Sequence, residues 1–403
     1  MQHTIALVGA GGFGGWYVNE LLHNHQNRGQ LIAVIEPYPE GCRDLDELRS
    51  RQIPIYADLS DFLAVSSADL ICIASPIHLH APQTIAALEH GASVLCEKPL
   101  CATIQDAQRM AQAESQVSGF VAIGYQWSFS AAIQALKQDI LLGNLGRPLR
   151  LKSRVYWPRT DAYFKRNGWA GRIKLDDGTW VLDSPVHNAT AHYLHNMLYV
   201  LGATRETSAR PVSIQAELYR ANAIENYDTA ALRCITDHNV EILFFTTHAT
   251  ENTIDPIFHY EFEQATVVYD ASQSRAAGSV VAHFHDGRTV NYGNPFDDNM
   301  GKIWQCVESL DTGATIACGI AAATPQTLCV NGAQESAPIT DFPKAIVRTQ
   351  DRSGETLTWA AGLEDLLTYC YESNCLPAES GLADWAVAGR VIDLTHYHHY
   401  PQN

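Results

Sequence analysis

The sequence predicts an α/β protein in which an N-terminal, doubly wound parallel sheet is followed by an α+β domain with a large open, mostly antiparallel sheet. Over the first 125 residues, short β-rich runs alternate with segments of helical periodicity, which is the rhythm of parallel βαβ units. After about residue 205, one β-rich run follows another with few helices between them. Because 403 residues exceed the length of an ordinary domain, we expect two domains, residues 1–125 and 126–403.

The predicted strands of the first domain are nearly continuous in Val, Ile, Leu, Ala and Cys, as expected when helices cover both faces of a parallel sheet. They are residues 4–8, 31–35, 69–74, 92–96 and 119–125. The predicted strands of the second domain are rich in β-branched and aromatic residues. They are residues 212–221, 229–237, 240–249, 257–264, 265–271 and 280–286, and helical patterns follow at 298–312, 363–375 and 382–396.

The chain is acidic, with 27 Lys and Arg residues against 44 Asp and Glu residues and a formal net charge of −17. Such a surface repels phosphate backbones and anionic lipid, so neither nucleic acid nor a membrane is an expected partner. The first residues lack the basic region of a signal peptide, and no apolar run approaches the roughly 18 residues of a membrane helix. Ten cysteines are too sparse and irregular for a disulfide framework, so we expect a cytoplasmic protein.

A glycine-rich turn, Gly9-Ala-Gly11-Gly12-Phe13-Gly14, lies between the first predicted strand and a helical segment. Gly9 suits a tight turn, Gly11 lets the backbone approach a pyrophosphate, and Gly14 lets the helix pack closely on the strand. The free N–H groups at the start of the helix then bind phosphate. The pattern predicts a Rossmann domain that binds a dinucleotide.

An acidic residue, Glu36, ends the second predicted strand roughly 20 residues after Gly14, where a carboxylate binds the ribose 2′-hydroxyl of NAD. The same carboxylate repels a 2′-phosphate, so NAD is favoured over NADP. Arg43 follows a few residues later and keeps NADP open as an alternative.

Four further segments resemble the signatures of one family, in the same order along the chain. They are Ser75-Pro76-Ile-His-Leu-His80, Cys96-Glu97-Lys98-Pro99-Leu100, Gly124-Tyr125-Gln126-Trp127-Ser-Phe129 and Asp183-Ser-Pro-Val-His187. They are similar to the T-P-x-x-x-H, E-K-P-L, G-F-N-x-x-F and D-x-G-x-H motifs of the glucose-fructose oxidoreductase, inositol dehydrogenase and MocA family (the Gfo/Idh/MocA family). The chain departs from these motifs at Ile77, Trp127 and Pro185, and the stretch from His187 to Gly202 is longer than in the family.

The resemblance implies that the nicotinamide lies at the carboxyl ends of the parallel strands, and that a sugar or polyol binds against the open face of the second sheet. Together with the glycine turn, it predicts a set of residues at the cofactor. They are Gly9, Gly11, Gly12, Phe13, Gly14, Glu36, Ser75, Pro76, His80, Glu97, Lys98 and Gln126.

Oxidation of a secondary alcohol requires a base for the hydroxyl proton while the hydride leaves for the nicotinamide. The resemblance implies that Lys98 and His187 face the reacting hydroxyl. Beside a positive nicotinamide ring, a partly desolvated Lys98 would lose its proton more readily. Ser184 and Pro185 suit the N-cap and first position of a helix, whose positive end keeps His187 neutral. Asp183 either orients His187 or Lys98, or caps this helix.

His192 and His195 follow on the same predicted helix, three residues apart and able to share a metal ion. No Cys or carboxylate cluster completes a ligand set, so we predict no metal site and interpret both as core or pocket histidines. The C-terminal histidines, between 396 and 399, are interpreted as a solvated helix end.

Aromatic residues interleave with Arg and Asn in residues 156–172, a composition that suits a ring with apolar faces and many hydroxyls. The arginines could instead bind a carboxylated or sulfonated sugar, bind the cofactor pyrophosphate, or form a basic loop that packs on the acidic surface. The predicted substrate-binding residues are Tyr125, Trp127, Arg159, Tyr163, Arg166, Asn167, Trp169, Arg172 and His192.

These features predict an NAD-dependent dehydrogenase acting on a sugar, sugar derivative or cyclitol. One alternative is a redox-neutral NAD-dependent glycoside hydrolase that works through transient oxidation at C3 and elimination; the other is an NAD-binding regulator without catalysis. We expect a homodimer or homotetramer that associates through the C-terminal sheet.

Overall fold

A computed structural model of the chain describes residues 2–271 and 275–402. It divides into two compact units. The first unit holds the chain up to Phe129 together with Asp298–Thr324, and the second holds Ser130–Asp297 together with the chain from Pro325 onward. The two predicted domains differ from these units mainly at residues 298–324. The prediction assigns this segment to the second domain, whereas the structure places it in the first unit.

The α-helices are named in chain order. They are α1 Gly14–His23, α2 Leu45–Ser50, α3 Leu59–Leu63, α4 Ile77–Glu89, α5 Ile104–Glu114, α6 Ala131–Leu141, α7 Asp161–Lys165, α8 Ala191–Val200, α9 Gly301–Thr312, α10 Ile320–Ser336, α11 Leu363–Ser373 and α12 Pro377–Ser380.

The strands are likewise named in chain order. They are β1 His3–Val8, β2 Gly29–Ile35, β3 Ile55–Tyr56, β4 Leu70–Ile73, β5 Ser93–Cys96, β6 Val121–Ile123, β7 Pro148–Tyr156, β8 Pro211–Arg220, β9 Thr229–Thr236, β10 Glu241–Thr247, β11 Ile254–Phe262, β12 Ala265–Asp270, β13 Val280–Phe284, β14 Thr289–Gly293, β15 Ile339–Asp341, β16 Val347–Arg352, β17 Glu355–Ala360 and β18 Ile392–Asp393.

The sheet of the first unit is parallel and six-stranded, in the order β3-β2-β1-β4-β5-β6. The predicted doubly wound sheet is therefore confirmed. The strand order reverses between β1 and β4, and in such sheets a crevice for ligands opens beyond the carboxyl ends of the strands at that point. The loops after β1, β4 and β5 all lie at this edge, and each carries one of the predicted cofactor motifs.

The sheet of the second unit is ten-stranded and mostly antiparallel, as predicted. Its order is β14-β13-β12-β11-β7-β10-β9-β8-β15, with β18 also paired to β8. The central strands β7 and β10 are parallel, so the residues that follow them, Trp157 and His248, reach the same edge. The Trp157 N–H donates to the carbonyl of Thr247 (2.9 Å), and the Arg159 N–H donates to that of His248 (3.2 Å).

The central strands of this sheet are covered on both faces, which corrects the expectation of an open face there. On one face, Thr246 of β10 hydrogen-bonds Thr190, which directly precedes α8 (3.1 Å). On the other face, Leu243 and Phe245 share a buried cluster with Leu367 of α11. Since successive side chains of a strand point to opposite faces, a strand covered on both sides is apolar throughout, as β10 largely is.

The predicted helix at 382–396 is wrong. This segment contains the short strand β18, whose Ile392 pairs with Ile214 of β8. The C-terminal histidines therefore do not end a helix, although His396, His398 and His399 are exposed. Of the helices in the part of the chain that the structure describes, each is too short or too polar to cross a bilayer.

Candidate functional site

The glycine turn after β1 has the geometry that the sequence predicts. Gly9 has a φ of +85°, and a Cβ there would lie 2.8 Å from the carbonyl oxygen of Ala74. A Cβ on Gly14 would lie 2.0 Å from the carbonyl oxygen of Gly9. Any other residue at either position would therefore push the start of α1 away from β1 and β4.

The middle of the turn leaves the space that a pyrophosphate needs. A Cβ on Gly12, whose φ is +52°, would meet no atom within 4 Å, and one on Gly11 would meet only Glu36 Oε2 at 3.9 Å. The first N–H groups of α1 face an anion favourably. The turn therefore fits a dinucleotide, and Phe13 beside it has 44% of its surface exposed.

The carboxylate of Glu36 is held against the glycine turn. Its Oε2 accepts hydrogen bonds from the N–H groups of Ala10 (2.9 Å) and Gly11 (3.2 Å), and its Oε1 accepts one from Tyr38 (3.0 Å). The negative charge is thus fixed at the end of β2, the place predicted for the ribose contact.

Arg43 lies beside the first turn of α1. Its guanidinium is 5.2 Å from the centroid of the Trp16 ring and packs against Gly15, where a Cβ would lie 3.0 Å from Nη2. A positive charge therefore accompanies Glu36 near the predicted ribose position.

His80 joins two of the loops at the cofactor edge. Its Nδ1 is 2.7 Å from the carbonyl of Pro99, and its Nε2 is 2.9 Å from the carbonyl of Ser75. The side chain is buried, and burial lowers its pKa below the ordinary value. Both ring nitrogens therefore face backbone carbonyls, and the neutral imidazole donates its single N–H to one of them. The predicted contact of His80 with the cofactor stays a prediction.

Glu97 is also a structural anchor, where a cofactor contact was predicted. It is 6% exposed, and its Oε1 accepts hydrogen bonds from the Tyr17 hydroxyl (2.6 Å) and from Lys302 of α9. Burial and the neighbouring Glu97 raise the pKa of Tyr17 well above its ordinary value. Sequence reasoning missed Lys302, since a lone lysine far along the chain gives no signal of its own.

Lys98 is the second residue after β5, and its side chain is half-buried. Its N–H donates to Glu97 Oε2 (3.2 Å), so the Glu97 anchor positions the backbone of Lys98. Gln126 is half-buried and donates to Asn299 (2.7 Å) in the same unit.

Tyr125 and Trp127, both predicted to contact the substrate, are buried side chains. Each is 1% exposed in the first unit, and burial raises the pKa of Tyr125 well above its ordinary value. Aromatic side chains buried to this extent are typical of a core, and the substrate contacts of these two residues stay a prediction.

The predicted cap before His187 is present in the second unit. Ser184 Oγ accepts from the N–H of His187 (3.2 Å), and Pro185 occupies the first position of a π-helical turn, Pro185–Ala189, that precedes α8. His187 itself is fully buried. Since Ser184 supplies the cap, capping is not the function of Asp183.

Asp183 instead links two segments around the turn. Its Oδ2 accepts from the Gly171 N–H (2.7 Å), and its Oδ1 accepts from the side chain of Asn188 (2.8 Å), directly after His187. It is 3% exposed, and its backbone carbonyl accepts from Asn226. Asp183 therefore fixes the aromatic and basic segment against the turn that carries His187.

A narrow pocket in the second unit brings Asp183 together with residues from three other segments. Its lining consists of Tyr163, Phe164, Gly171, Asp183, Ser184, Pro185, Ile224, Tyr227 and His248. Sequence reasoning missed His248 and Tyr227. The sequence places His248 inside the predicted strand 240–249, whereas β10 ends at Thr247, and nothing in the sequence showed that β10 runs parallel to β7.

The remaining predicted substrate residues differ in what they contact. Arg159 and Arg166 both pack on the ring of Tyr163. Arg172 is paired with Asp176 (2.6 Å). The other members are Asn167, which accepts from the N–H groups of Trp169 and Ala170, and Trp169 itself, 5.2 Å from the Arg166 guanidinium.

The two histidines of α8 lie at the predicted helical spacing. His195 is buried, and burial together with Lys137 lowers its pKa well below the ordinary value, while His192 is half-buried. Among residues 2–271 and 275–402, no three His, Cys, Asp or Glu side chains are grouped closely enough to hold a metal ion.

Comparison with known proteins finds a family match within the first unit. Residues 3–125 match the model of the Gfo/Idh/MocA family, described as an oxidoreductase family with an NAD-binding Rossmann fold. Inositol 2-dehydrogenase from Burkholderia multivorans is 28% identical over 152 residues, which are 38% of this chain and 45% of that protein. The 1,5-anhydro-D-fructose reductase from Ensifer adhaerens is 32% identical over 123 residues, 30% of this chain and 35% of that protein. The matches thus span less than half of these curated relatives.

Solved structures resemble more of the chain. The WlbA dehydrogenase from Bordetella pertussis, in complex with NADH and UDP-GlcNAcA, superposes with a TM-score of 0.68 at 20% identity, covering 84% of this chain and 98% of that one. A levoglucosan dehydrogenase in complex with NADH gives a TM-score of 0.65 at 15% identity, covering 83% and 96%. At these identities the likeness shows a shared fold.

Proposed function

We propose that this chain, whose residues 3–125 form an NAD-binding Rossmann domain of the Gfo/Idh/MocA oxidoreductase family, is an NAD-dependent oxidoreductase. It would transfer a hydride between nicotinamide and a secondary hydroxyl of a sugar, sugar derivative or cyclitol. The observation that carries the proposal is the open glycine turn with the Glu36 carboxylate fixed beside it.

The first unit supplies the residues that would hold the cofactor. The N–H groups around Gly12 and Phe13 would bind the pyrophosphate, and Glu36 would bind a ribose hydroxyl. Bound NAD supplies the hydride acceptor, which no amino-acid side chain provides. Lys98, the second residue after β5, lies at the edge of the sheet where a doubly wound domain would bind the nicotinamide.

The proton of the substrate hydroxyl requires a base, and we assign proton transfer to Lys98 and His187. Asp183 is a positioning residue in this proposal. Its carboxylate accepts hydrogen bonds from Asn188, the residue after His187, and from the Gly171 N–H, and so holds both segments together. A sugar or cyclitol is supported by the chemistry of the residues around Asp183, where aromatic rings adjoin polar groups able to bind hydroxyls, although the pocket between them is closed in this structure.

A panel assay tests this function. The protein is incubated with NAD and, in turn, with monosaccharides, uronic acids, cyclitols and aryl glycosides, while NADH and released aglycone are followed in parallel. We expect NADH from at least one sugar or cyclitol. Aglycone release without net NADH would contradict the proposed dehydrogenase, and so would the absence of NADH from the whole panel.

We also propose a cytoplasmic location and a homodimer or homotetramer. The ten cysteines are free thiols, the form that a reducing compartment maintains. Any association through the sheet must avoid its central strands, because their faces are covered by helices. Sedimentation velocity of the purified protein measures the assembly.

A further inference from the structure

Two guanidinium groups share one aromatic ring beside the Asp183 pocket. The Cζ atom of Arg166 is 3.7 Å from the centroid of the Tyr163 ring, and that of Arg159 is 4.9 Å from it. Both contacts are close enough for a cation–π interaction, which orients the guanidinium groups but leaves their charge in place.

No carboxylate neutralises these two arginines among the residues that the structure describes. Their neighbours in the segment behave differently: Lys165 pairs with Asp161 (2.6 Å), and Arg172 pairs with Asp176 (2.6 Å). In addition, Arg159 Nε is buried without a hydrogen-bond partner in the described chain. A protein with an excess of 17 negative charges thus leaves both guanidinium groups without a salt-bridge partner among the described residues, although the Asp183 carboxylate lines the adjacent pocket.

His248 responds to this local positive charge and carries a buried acceptor. Its Nδ1 lies 2.8 Å from the carbonyl of Trp157, which can only accept, so Nδ1 carries the proton and Nε2 is an acceptor. Within the described residues, Nε2 is buried and has no partner. Burial, Arg159 and Arg166 lower the pKa of His248 to about 3, so this acceptor persists at neutral pH.

These groups belong to one pocket, because His248 and Tyr163 line it together with Asp183. In this structure the lining side chains leave no room for a water-sized molecule, so a ligand would displace them on entry. The unpaired acceptor would then match a ligand hydroxyl, since a buried acceptor without a hydrogen bond costs free energy. The guanidinium pair matches an oxyanion, which arginine binds through two parallel N–H groups.

We infer that the substrate is an anionic sugar or cyclitol, whose carboxylate or phosphate binds Arg159 and Arg166 while one of its hydroxyls donates to His248 Nε2. This inference rests on the proposed function for the identity of the ligand as a polyol. It adds that the substrate carries a negative charge, which most sugars and cyclitols lack.

Matched neutral and anionic ligands test the inference on the full-length protein with NAD present. The pairs are D-glucose with D-glucuronate, D-glucose with D-glucose 6-phosphate, and myo-inositol with myo-inositol 1-phosphate. Calorimetry gives Kd for each compound, and the carboxylate and phosphate pairs distinguish the two kinds of anion. We expect at least one anion to bind ~10-fold or more tighter than its neutral partner, the scale of a charge-assisted hydrogen bond.

Variants locate the effect. Arg159→Met and Arg166→Met should each lower that anion-to-neutral ratio by ~5-fold or more, and Lys165→Met, which removes the same charge from the same segment, should leave it unchanged. Retained binding of the neutral partner shows that each variant is folded.

The results separate the two proposals. If no anion binds more tightly than its neutral partner, or if the Lys165 variant matches the arginine variants, the inference is overturned. NADH formed from neutral compounds alone would also overturn it while supporting the proposed dehydrogenase. Arginine-dependent binding of an anion without any NADH would support the anion site and overturn the dehydrogenase.

Discussion

Lys302 and Glu97 form a buried ion pair within the first unit, although 205 residues separate them along the chain. The Lys302 side chain has no exposed surface, and that of Glu97 is 8% exposed. Tyr17 of α1 donates to the same carboxylate. The pair therefore fastens α9, from the second segment of this unit, to the strand that precedes Lys98.

Replacement of Lys302 should destabilise the protein strongly. Lys302→Met leaves the Glu97 carboxylate buried without its cation, and we expect the free energy of unfolding to fall by about 3–5 kcal/mol. Denaturant titration measures the change. The double variant Lys302→Met with Glu97→Gln removes both charges and should recover part of the loss. Equal stability of Lys302→Met and the native protein would contradict the structural role.

Removal of either proposed acid-base group should reduce turnover more than cofactor binding. We expect Lys98→Ala and His187→Ala each to lower kcat by ~10²-fold or more, the usual contribution of general acid–base catalysis. The Kd of NAD, measured by fluorescence titration, should change little. Lys165→Ala serves as the control, because this exposed lysine is paired with Asp161. Native turnover in either variant would remove that residue from the mechanism.

The charge of Glu36 should set the preference for NAD over NADP. Glu36→Gln keeps an acceptor for the Ala10 and Gly11 N–H groups but removes the charge that repels a 2′-phosphate. We expect the ratio of kcat/KM for NAD to that for NADP to fall about 10-fold, the equivalent of about 1.4 kcal/mol. The double variant Glu36→Gln with Arg43→Met should bind NADP more weakly than the single variant Glu36→Gln, because it lacks the positive charge of Arg43. An unchanged ratio in Glu36→Gln would falsify the ribose contact.

His248 should make stability depend on pH below neutrality. Its pKa is about 3 in the folded protein, below the ordinary value of about 6.5 in an unfolded chain, so the unfolded chain takes up the proton first as the pH falls. The stability associated with neutral His248 is thus complete above pH ~6.5 and is lost progressively towards pH ~3, by about 2 kcal/mol at pH 5.

The variant His248→Gln does not titrate, and it should flatten the fall in unfolding free energy between pH 7 and pH 5 by about that amount. Urea titrations at both values measure this difference. His238→Gln, at an exposed position, provides the control and should show the native slope. A native slope in His248→Gln would mean that the histidine is protonated alike in the folded and unfolded chains.

The packing of α11 against the second sheet should stabilise the protein as other core contacts do. Leu367 has no exposed surface and packs in the cluster with Leu243 and Phe245, so Leu367→Ala should cost about 2–5 kcal/mol through lost burial and the cavity left behind. The matched control is Leu382→Ala. Because Leu382 is 63% exposed, this substitution should change the free energy of unfolding by less than about 0.5 kcal/mol. Thermal unfolding of both variants provides the comparison, and similar melting temperatures would show that α11 does not anchor this face.

Local features of the chain were predictable because their causes are local. The glycine turn requires a positive φ at Gly9, and at Gly14 it requires a residue without a Cβ, which would otherwise collide with the carbonyl oxygen of Gly9. The cap of His187 follows from the side chain of Ser184 and the ring of Pro185. The two sheets followed from hydrophobic patterns that reflect how many faces of a strand are covered.

The sequence did not reveal environments that depend on distant parts of the chain. Tyr125 and Trp127, predicted to contact the substrate, are buried, and Glu97 forms an ion pair with Lys302, 205 residues away. The predicted helix at 382–396 does not form, because Ile392 pairs with β8 instead, and a local sequence pattern does not reveal this pairing.

The sequence alone was therefore sufficient for the fold class, the dinucleotide turn and the motifs that mark Lys98, Asp183 and His187. The position of His248 beside Tyr163, and the absence of a counterion for Arg159 in the described chain, follow from the parallel pairing of β7 with β10 and from the packing of their loops. Burial and electrostatic environment are properties of segments brought together from separate parts of the chain. For that reason the inferred charge of the substrate comes from the folded structure.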